Sequence, residues 1–501
     1  MFKDSDAPRQ DHGIFWWCAQ AGSLRYWPMI VEEIPNPPPP EALARALRDR
    51  HGFFHLDSSR PEEDSGRAFS YLGFEPFLTW RAKGDQITVE TGGTRETVRA
   101  EPLAHLRGLM GRHRGAAADT GDIQWGGGAV GFFGHEFGAR AAGVEPSAPD
   151  EPELPDAQFG LHDGFIACDR TAGKTYLVAN PAAGREAGGI LARLREAVGE
   201  ADGRRDVGRN RRRVGDNVPH LKERAEPVSN MTRADYLGRV ARIKDYLAAG
   251  DIYQVNLAQR FEATTAEHPL AIYERLRALS PAPFGAYLEL GGWQILSSSP
   301  ELFLRVDAAG GARTRPIKGT RPRGRSPAED QDLAAELVAS AKDQAELLMI
   351  VDLERNDLGR VCRTGSVRVE ERQRLETHPT VFHLVATVSG RLAPEHDLYD
   401  ALRSMLPGGS ISGVPKIRAL QIIAELEPCR RQVYTGALGW LGFDGTCALN
   451  VAIRTLVCHG GRARYQVGGG IVADSDPAGE FEETLAKGRA MREAVRGEEP
   501  A

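Results

Sequence analysis

Cysteine is scarce in this sequence, and what there is lies scattered. Six cysteines (Cys18, Cys168, Cys362, Cys429, Cys447 and Cys458) occur among 501 residues without a C-x-x-C spacing. That pattern argues against a disulfide framework or a thiolate zinc site and fits a reducing, cytoplasmic setting. Long apolar runs are missing too: no stretch approaches the roughly 20 residues that span a bilayer. The N-terminus, with Asp4, Asp6 and Asp11, lacks a signal-peptide pattern. A cytoplasmic protein without a membrane partner is expected. There is no excess of positive charge either. Lys and Arg total 63 against 69 Asp and Glu, a formal net charge of −6, so nothing suggests nucleic acid as a partner. The remainder is ordinary for a globular chain, 41% hydrophobic and 26% charged, and long enough to bury a large core.

Three stretches divide the chain. Residues 1–200 form an N-terminal region, 201–229 a linker, and 230–497 a more regular C-terminal region. Early on, Pro35-Asn36-Pro37-Pro38-Pro39-Pro40 reads as a stiff extended connector. Glu41–Arg50 reads as a helix. Short strand-like pieces follow at 53–57, 68–74, 86–90 and 129–133, and a helix at 189–198. Strands and helices mix without a βαβ beat, which indicates an α+β fold. The linker holds Arg204, Arg205, Arg209, Arg211, Arg212 and Arg213 among Asp, Gly and Asn, a solvated tether rather than an anion site. Beyond it, Thr232-x-x-Asp235 is spaced as a capping box before the apolar stripe Tyr236, Val240, Ile243 and Leu247. Gln254 lies in an alternating strand over 252–261. A long helical region covers 328–355 with a break near Lys342. Strands are expected at 383–388, 436–443, 448–457 and 465–467, and a last helix at 478–495.

Several residues could carry chemistry. Arg315-Pro316-Ile317-Lys318-Gly319-Thr320-Arg321 puts one lysine where Pro and Gly imply a strand end or tight turn. Neighbouring cations and partial burial would lower its pKa toward that of a nucleophile; a surface basic cluster is the plainer alternative. Glu480, Glu483 and Lys487 share a face of the last helix. Glu346 interrupts the apolar Ala345–Val351 run. Three carboxylates converging from two helices would suit Mg²⁺, while an exposed helix start and an exposed edge are the alternatives. Pro407-Gly408-Gly409-Ser410-Ile411-Ser412-Gly413-Val414-Pro415-Lys416 is a glycine-rich loop entering a helix. It offers backbone N–H groups to an anion but has Val414 where a P-loop needs lysine. Gly468 and Gly469 mark either close backbone approach to a ligand or a simple bulge or turn. Arg454, within an expected apolar strand, requires an anion, either a structural acid or a substrate carboxylate. Glu301 is a general acid or a strand-edge carboxylate, and His383 a strand histidine.

Taken in order, these blocks resemble the chorismate-utilising enzymes. The resemblance covers about 230–495 through Tyr253-Gln254-Val255-Asn256-Leu257, Ser299-Pro300-Glu301, Pro316-Ile317-Lys318-Gly319-Thr320, Asp352-Leu353-Glu354-Arg355-Asn356-Asp357, Pro407-Gly408-Gly409-Ser410, Asn450-Val451-Ala452-Ile453-Arg454 and Glu480-Phe481-Glu482-Glu483-Thr484. A weaker likeness extends over 1–200. It implies two large antiparallel sheets packed as a sandwich with helices outside. Where water-adding relatives carry a lysine base, this chain has Gln254. Where anthranilate-forming relatives have Pro-Ile-Ala-Gly-Thr, it has Lys318, as in the aminodeoxychorismate-forming branch. The resemblance therefore implies amination of chorismate at C4, serving 4-aminobenzoate and folate synthesis, with anthranilate formation as the alternative. It further implies Mg²⁺ on Glu346, Glu480 and Glu483, and Lys318 adding to the ring while Glu301 protonates the departing hydroxyl. His383 matches the family's active-site histidine. Gln254, Thr320, Tyr434, Arg454, Gly468 and Gly469 are implied to contact substrate. Ammonia would come from a separate glutamine amidotransferase subunit or from solution.

Overall fold

Strands that are apolar on both faces have to be covered on both sides. Gly128–Phe133 is buried along its length, with Ala129 and Phe133 facing one apolar cluster and Val130 and Phe132 another. That division runs through the whole molecule. The computed structural model describes residues 29–59, 68–113, 123–181, 185–210, 226–378 and 381–498. The early part of the N-terminal region and linker residues 211–225 lie outside the described residues.

Among the described residues, two antiparallel sheets of twelve strands each make the core. The first runs Ile30–Glu33, Lys174–Ala179, Gly164–Asp169, Phe69–Gly73, Phe54–Asp57, Phe284–Glu289, Trp293–Ser299, Thr455–His459, Arg462–Ile471, Gln254–Thr264 and Val228–Ser229, with Gly413–Val414 paired on Gln254–Thr264. The second runs Ile317–Pro322, Val381–Arg391, Gly311–Arg315, Leu302–Val306, Cys447–Val451, Ala437–Gly442, Gly128–Phe133, Ala157–His162, Leu78–Lys83, Gln86–Thr91 and Thr94–Arg99, with Arg368–Thr377 on Val381–Arg391. One cluster, including Phe54, Tyr71, Phe132, Ile295 and Trp440, fills the space between the sheets. Two others join the outer faces to helices. The expected helix-flanked sandwich is the observed architecture.

Residues 1–200 and 230–497 do not keep separate sheets. Phe54–Leu56 pairs with Ala286–Leu288, and Gly128–Phe133 pairs with Ala437–Gly442. The second helix expected in the N-terminal region is longer than read, Ala187–Asn210, and extends into the predicted linker. The Thr232–Asp235 capping box is present. The long helical region is two helices, Pro327–Ala339 and Ala341–Gly359, and Ser340 caps the second by accepting from the Asp343 N–H.

One correction bears on the site. The expected strand 448–457 is two strands in different sheets, Cys447–Val451 and Thr455–His459. Ile453 and Arg454 carry the chain across, and Arg454 takes the left-handed conformation, φ 49°. A non-glycine residue held there is uncommon and costs free energy unless its surroundings fix it.

Candidate active site

A second crossing lies against the first. Trp293–Ser299 belongs to one sheet and Leu302–Val306 to the other, so Pro300-Glu301 passes between them. The crossings are stitched together. Ser298 N–H donates to Arg454 O at 3.1 Å, Val451 N–H to Glu301 O at 3.0 Å, and Ser299 Oγ to Val451 O at 2.6 Å. Glu301 and Arg454 are thus presented side by side where the sheets part.

Glu301 is buried, and burial pushes its carboxyl up to about 7 despite the Ser410 hydroxyl bond and the charges of Lys318 and Arg454. A carboxyl poised near neutrality can give up a proton at working pH. Arg454 is half-buried and its pKa is lowered, chiefly by burial. Its guanidinium reaches Ser280 Oγ at 3.5 Å and His383 Nε2 at 3.2 Å. Among the described residues no carboxylate lies within ion-pair distance of it, so the structural acid posited from sequence is absent and the cation is free to meet an anion.

Lys318 sits on a β-bulge. Ile317 pairs with Val385 and Thr320 with His383, so one extra residue stands between them, and Gly319 has φ 83°. The bulge turns the half-buried lysine toward the Gly409–Ile411 turn, where Nζ donates to Ser410 O at 2.9 Å. Burial lowers its pKa and Lys487 adds to this, while Glu346, Glu301 and Glu483 oppose it. An amine whose protonated form is disfavoured is a nucleophile in reserve.

His383 is fully committed. A guanidinium has no lone pair, so Nε2 accepts from Arg454, which leaves the ring proton on Nδ1, 2.9 Å from Thr320 Oγ1. Burial and then Arg454 hold the imidazole well below its ordinary pKa. The histidine ties Thr320 to Arg454.

The glutamates expected to hold a metal gather nearby without closing into a cage. Burial raises the pKa of Glu346 and of Glu480, and Glu483 adds to both. Ser475 Oγ donates to Glu480 at 2.6 Å, Lys487 pairs with Glu483 at 2.7 Å, and Lys342 lies 3.9 Å from Glu346. Among the described residues no three Asp, Glu, His or Cys side chains are set to hold a metal ion. The donor chemistry fits a hard cation all the same. Gly469 leaves room as well, since a Cβ there would stand 3.0 Å from Glu480 Oε2 and 3.8 Å from Glu483 Oε1.

Gly468 and Gly469 form no bulge. They lie in the regular pairing of Arg462–Ile471 with Gln254–Thr264, and a Cβ at Gly470 would collide with Gln254 Nε2 at 2.0 Å. Gln254 itself is buried, with neither amide atom hydrogen-bonded among the described residues. An orphaned buried amide is costly and points to a missing partner. Tyr434 places its ring 5.7 Å from the Arg431 guanidinium, on the turn that Thr435 N–H fastens to Ala452 O at 2.8 Å.

Three participants were not singled out as site residues in the sequence. Ser410 serves both Lys318 and Glu301; Glu354 accepts the Gly409 N–H at 3.1 Å. The glycine-rich loop is therefore anchored by a carboxylate of the chain itself. Both residues fall inside blocks that carried the resemblance. Arg431, fully buried, binds Glu427, Ile411 O, Asn256 O and Thr435, and no local signal marked it.

Comparison with known proteins shows which family shares this sequence and fold. The profile of the family described as chorismate binding enzyme matches residues 55–493. Anthranilate synthase component 1 of Streptomyces coelicolor is 40% identical over 459 residues, 90% of this chain and 85% of that one. Aminodeoxychorismate synthase component 1 of Escherichia coli is 37% identical over 423 residues, 84% of this chain and 88% of the other. The crystal structure of anthranilate synthase component I from Streptococcus pneumoniae superposes with a TM-score of 0.74 at 29% identity, covering 85% of this chain and 92% of that one.

Proposed function

The chain belongs to the chorismate-binding enzymes, and from that premise we propose that it aminates chorismate at C4 to give 4-amino-4-deoxychorismate. The observation that carries this reading is the amine of Lys318, aimed by a bulge at the Ser410 carbonyl beside the neutral-poised Glu301. Donating one N–H to Ser410 O steers the amine lone pair. That lone pair adds to C2 of the ring, the ring double bonds shift, and the C4 hydroxyl departs as water with the Glu301 proton. Ammonia then forms its bond to C4, the double bonds shift back, and the Lys318 amine leaves C2.

Arg454, held by His383 and Ser280 but lacking an acid partner among the described residues, receives the pyruvyl carboxylate. Tyr434, Thr320 and the backbone at Gly468 and Gly469 complete the substrate's surroundings, and Gln254 faces it with both amide atoms open. Glu346, Glu480 and Glu483 would hold Mg²⁺, which when bound supplies positive charge against the ring carboxylate. Ammonia would be delivered by a glutamine amidotransferase subunit, in keeping with relatives named as component 1.

Anthranilate formation is the second reading, supported by the 40% identical Streptomyces coelicolor relative. Product analysis with chorismate, ammonium and Mg²⁺ separates the two, run with and without an added glutaminase. 4-Amino-4-deoxychorismate is the expected product; anthranilate with pyruvate overturns the first reading.

A further inference from the structure

Glu354 is a buried acid that the chemistry above does not use. It lies on the Ala341–Gly359 helix at 3% exposure. Oε1 accepts the Gly409 N–H at 3.1 Å, and Oε2 is buried without a hydrogen-bond partner among the described residues. One helical turn on, Asp357 is ion-paired with Lys416, so the cation whose charge reaches Glu354 is already shared. Burial and then Asp357 push Glu354 up to about 8. Such a group is a poor structural choice: an apolar residue would fill the place without an orphaned oxygen.

Its one bond goes to the first residue of the turn that serves Lys318. The turn's other bonds come from different elements. Arg431 Nη1 donates to Ile411 O at 3.0 Å, Asn256 N–H to Ser412 O at 2.9 Å, and Asn256 Nδ2 to Ser410 O at 3.4 Å. The turn also abuts the helix closely, since a Cβ at Gly409 would lie 2.7 Å from Leu353 Cδ2 and 3.1 Å from Glu354 Oε1. Without Glu354 the Gly409 N–H has no acceptor among the described residues, and the turn loses its hydrogen bond to the helix.

We infer that Glu354 is a positioning residue: it fixes the Gly409–Ser410 turn so that the Ser410 carbonyl orients the Lys318 amine while the Ser410 hydroxyl holds Glu301. The inference rests on the chorismate chemistry proposed above and adds the residue that sets its geometry. A shift of the turn by about 1 Å would move both reacting groups together, a displacement that can cost on the order of 10²-fold in rate.

The test uses the full chain and begins with wild-type turnover of chorismate with ammonium and Mg²⁺; no product of any kind would sink the functional reading, not this one. Glu354→Gln keeps a side-chain carbonyl oxygen for the Gly409 N–H, whereas Glu354→Leu removes it at similar volume. The expected result is a fall in kcat of roughly 10- to 100-fold in Glu354→Leu with KM for chorismate within about twofold, and at least a third of wild-type kcat in Glu354→Gln. Combining Glu354→Leu with Ser410→Ala should cost little more than the worse single change, because both act through one turn. Wild-type kcat in Glu354→Leu, equal loss in both Glu354 variants, or full additivity with Ser410→Ala would overturn the assignment. Should Glu354→Leu fail to fold, amide hydrogen exchange at Gly409 decides: protection in wild type and Glu354→Gln is expected, and free exchange in folded wild type overturns it.

Discussion

Asp57 and Glu301 are both buried carboxylates of the same sandwich, treated in opposite ways. Asp57 is surrounded by donors: Arg277, Arg170 at 3.5 Å, Ser70 at 3.2 Å and Tyr273 at 3.4 Å. Both arginines also reach Glu41, at 2.8 and 3.0 Å. Burial pushes the Asp57 pKa up, but His55, Arg277 and Arg170 outweigh it, and the net shift is downward. Glu301 feels similar burial with weaker compensation and rises to about 7. Near it, Lys318 is lowered and Arg454 lacks a carboxylate partner among the described residues. A charge whose neighbours satisfy it holds the fold; a charge left short of partners is available to a substrate.

The largest test of that contrast is Lys318→Ala. Turnover of chorismate should drop by on the order of 10²–10⁴-fold, while thermal unfolding stays level or improves and chorismate binding remains measurable by calorimetry. Undiminished turnover would remove Lys318 from the chemistry. Asp57→Asn should do the reverse, costing about 3 kcal/mol in denaturant unfolding by leaving Arg277 and Arg170 to share the single charge of Glu41, with turnover per folded molecule nearly unchanged. A loss under 1 kcal/mol would show that the cluster is not structural.

Glu301→Gln sharpens the comparison through pH. The unfolded carboxyl releases its proton near 4.5, the folded one near 7, so between these values the folded state binds more protons and stability declines as pH rises. The decline, complete above about pH 7, amounts to about 3 kcal/mol. Glu301→Gln should abolish it, matching wild type near pH 4 and exceeding it at pH 8 in denaturant midpoint. The alkaline fall in kcat/KM near pH 7 should vanish as well; an unaltered pH profile would assign that limb to another group. The smallest effect is expected of Glu346→Gln, about a tenfold higher Mg²⁺ requirement in an activity titration. An identical titration curve would exclude Glu346 as a ligand.

Much of the fold was legible because it is local. The Thr232–Asp235 cap, the apolar stripe behind it and the strand at Gln254 follow from side-chain spacing alone. Strands such as Thr94–Arg99, exposed and rich in charge, were not, since their identity comes from pairing with Gln86–Thr91. The glycine-rich loop was read as an anion cradle because glycine leaves N–H groups open; Glu354, 55 residues away, takes one of them.

The sequence by itself determined which chemical groups are present and, where the pattern is local, which stretches become helix or strand, because propensity, capping and periodicity act over a few residues. It also marked the backbone at Lys318 as irregular, a strand end or tight turn by Pro316 and Gly319, although the bulge itself comes from the pairing with Val381–Arg391, and it determined the family, through blocks of matching residues. Only the tertiary structure decided that Glu301 and Arg454 leave their sheets side by side, that His383 is bound at both nitrogens, and that among the described residues Arg454 lacks an acid while Asp57 has two arginines. Those facts depend on which of many distant groups share one low-dielectric space, and no local pattern encodes that distance.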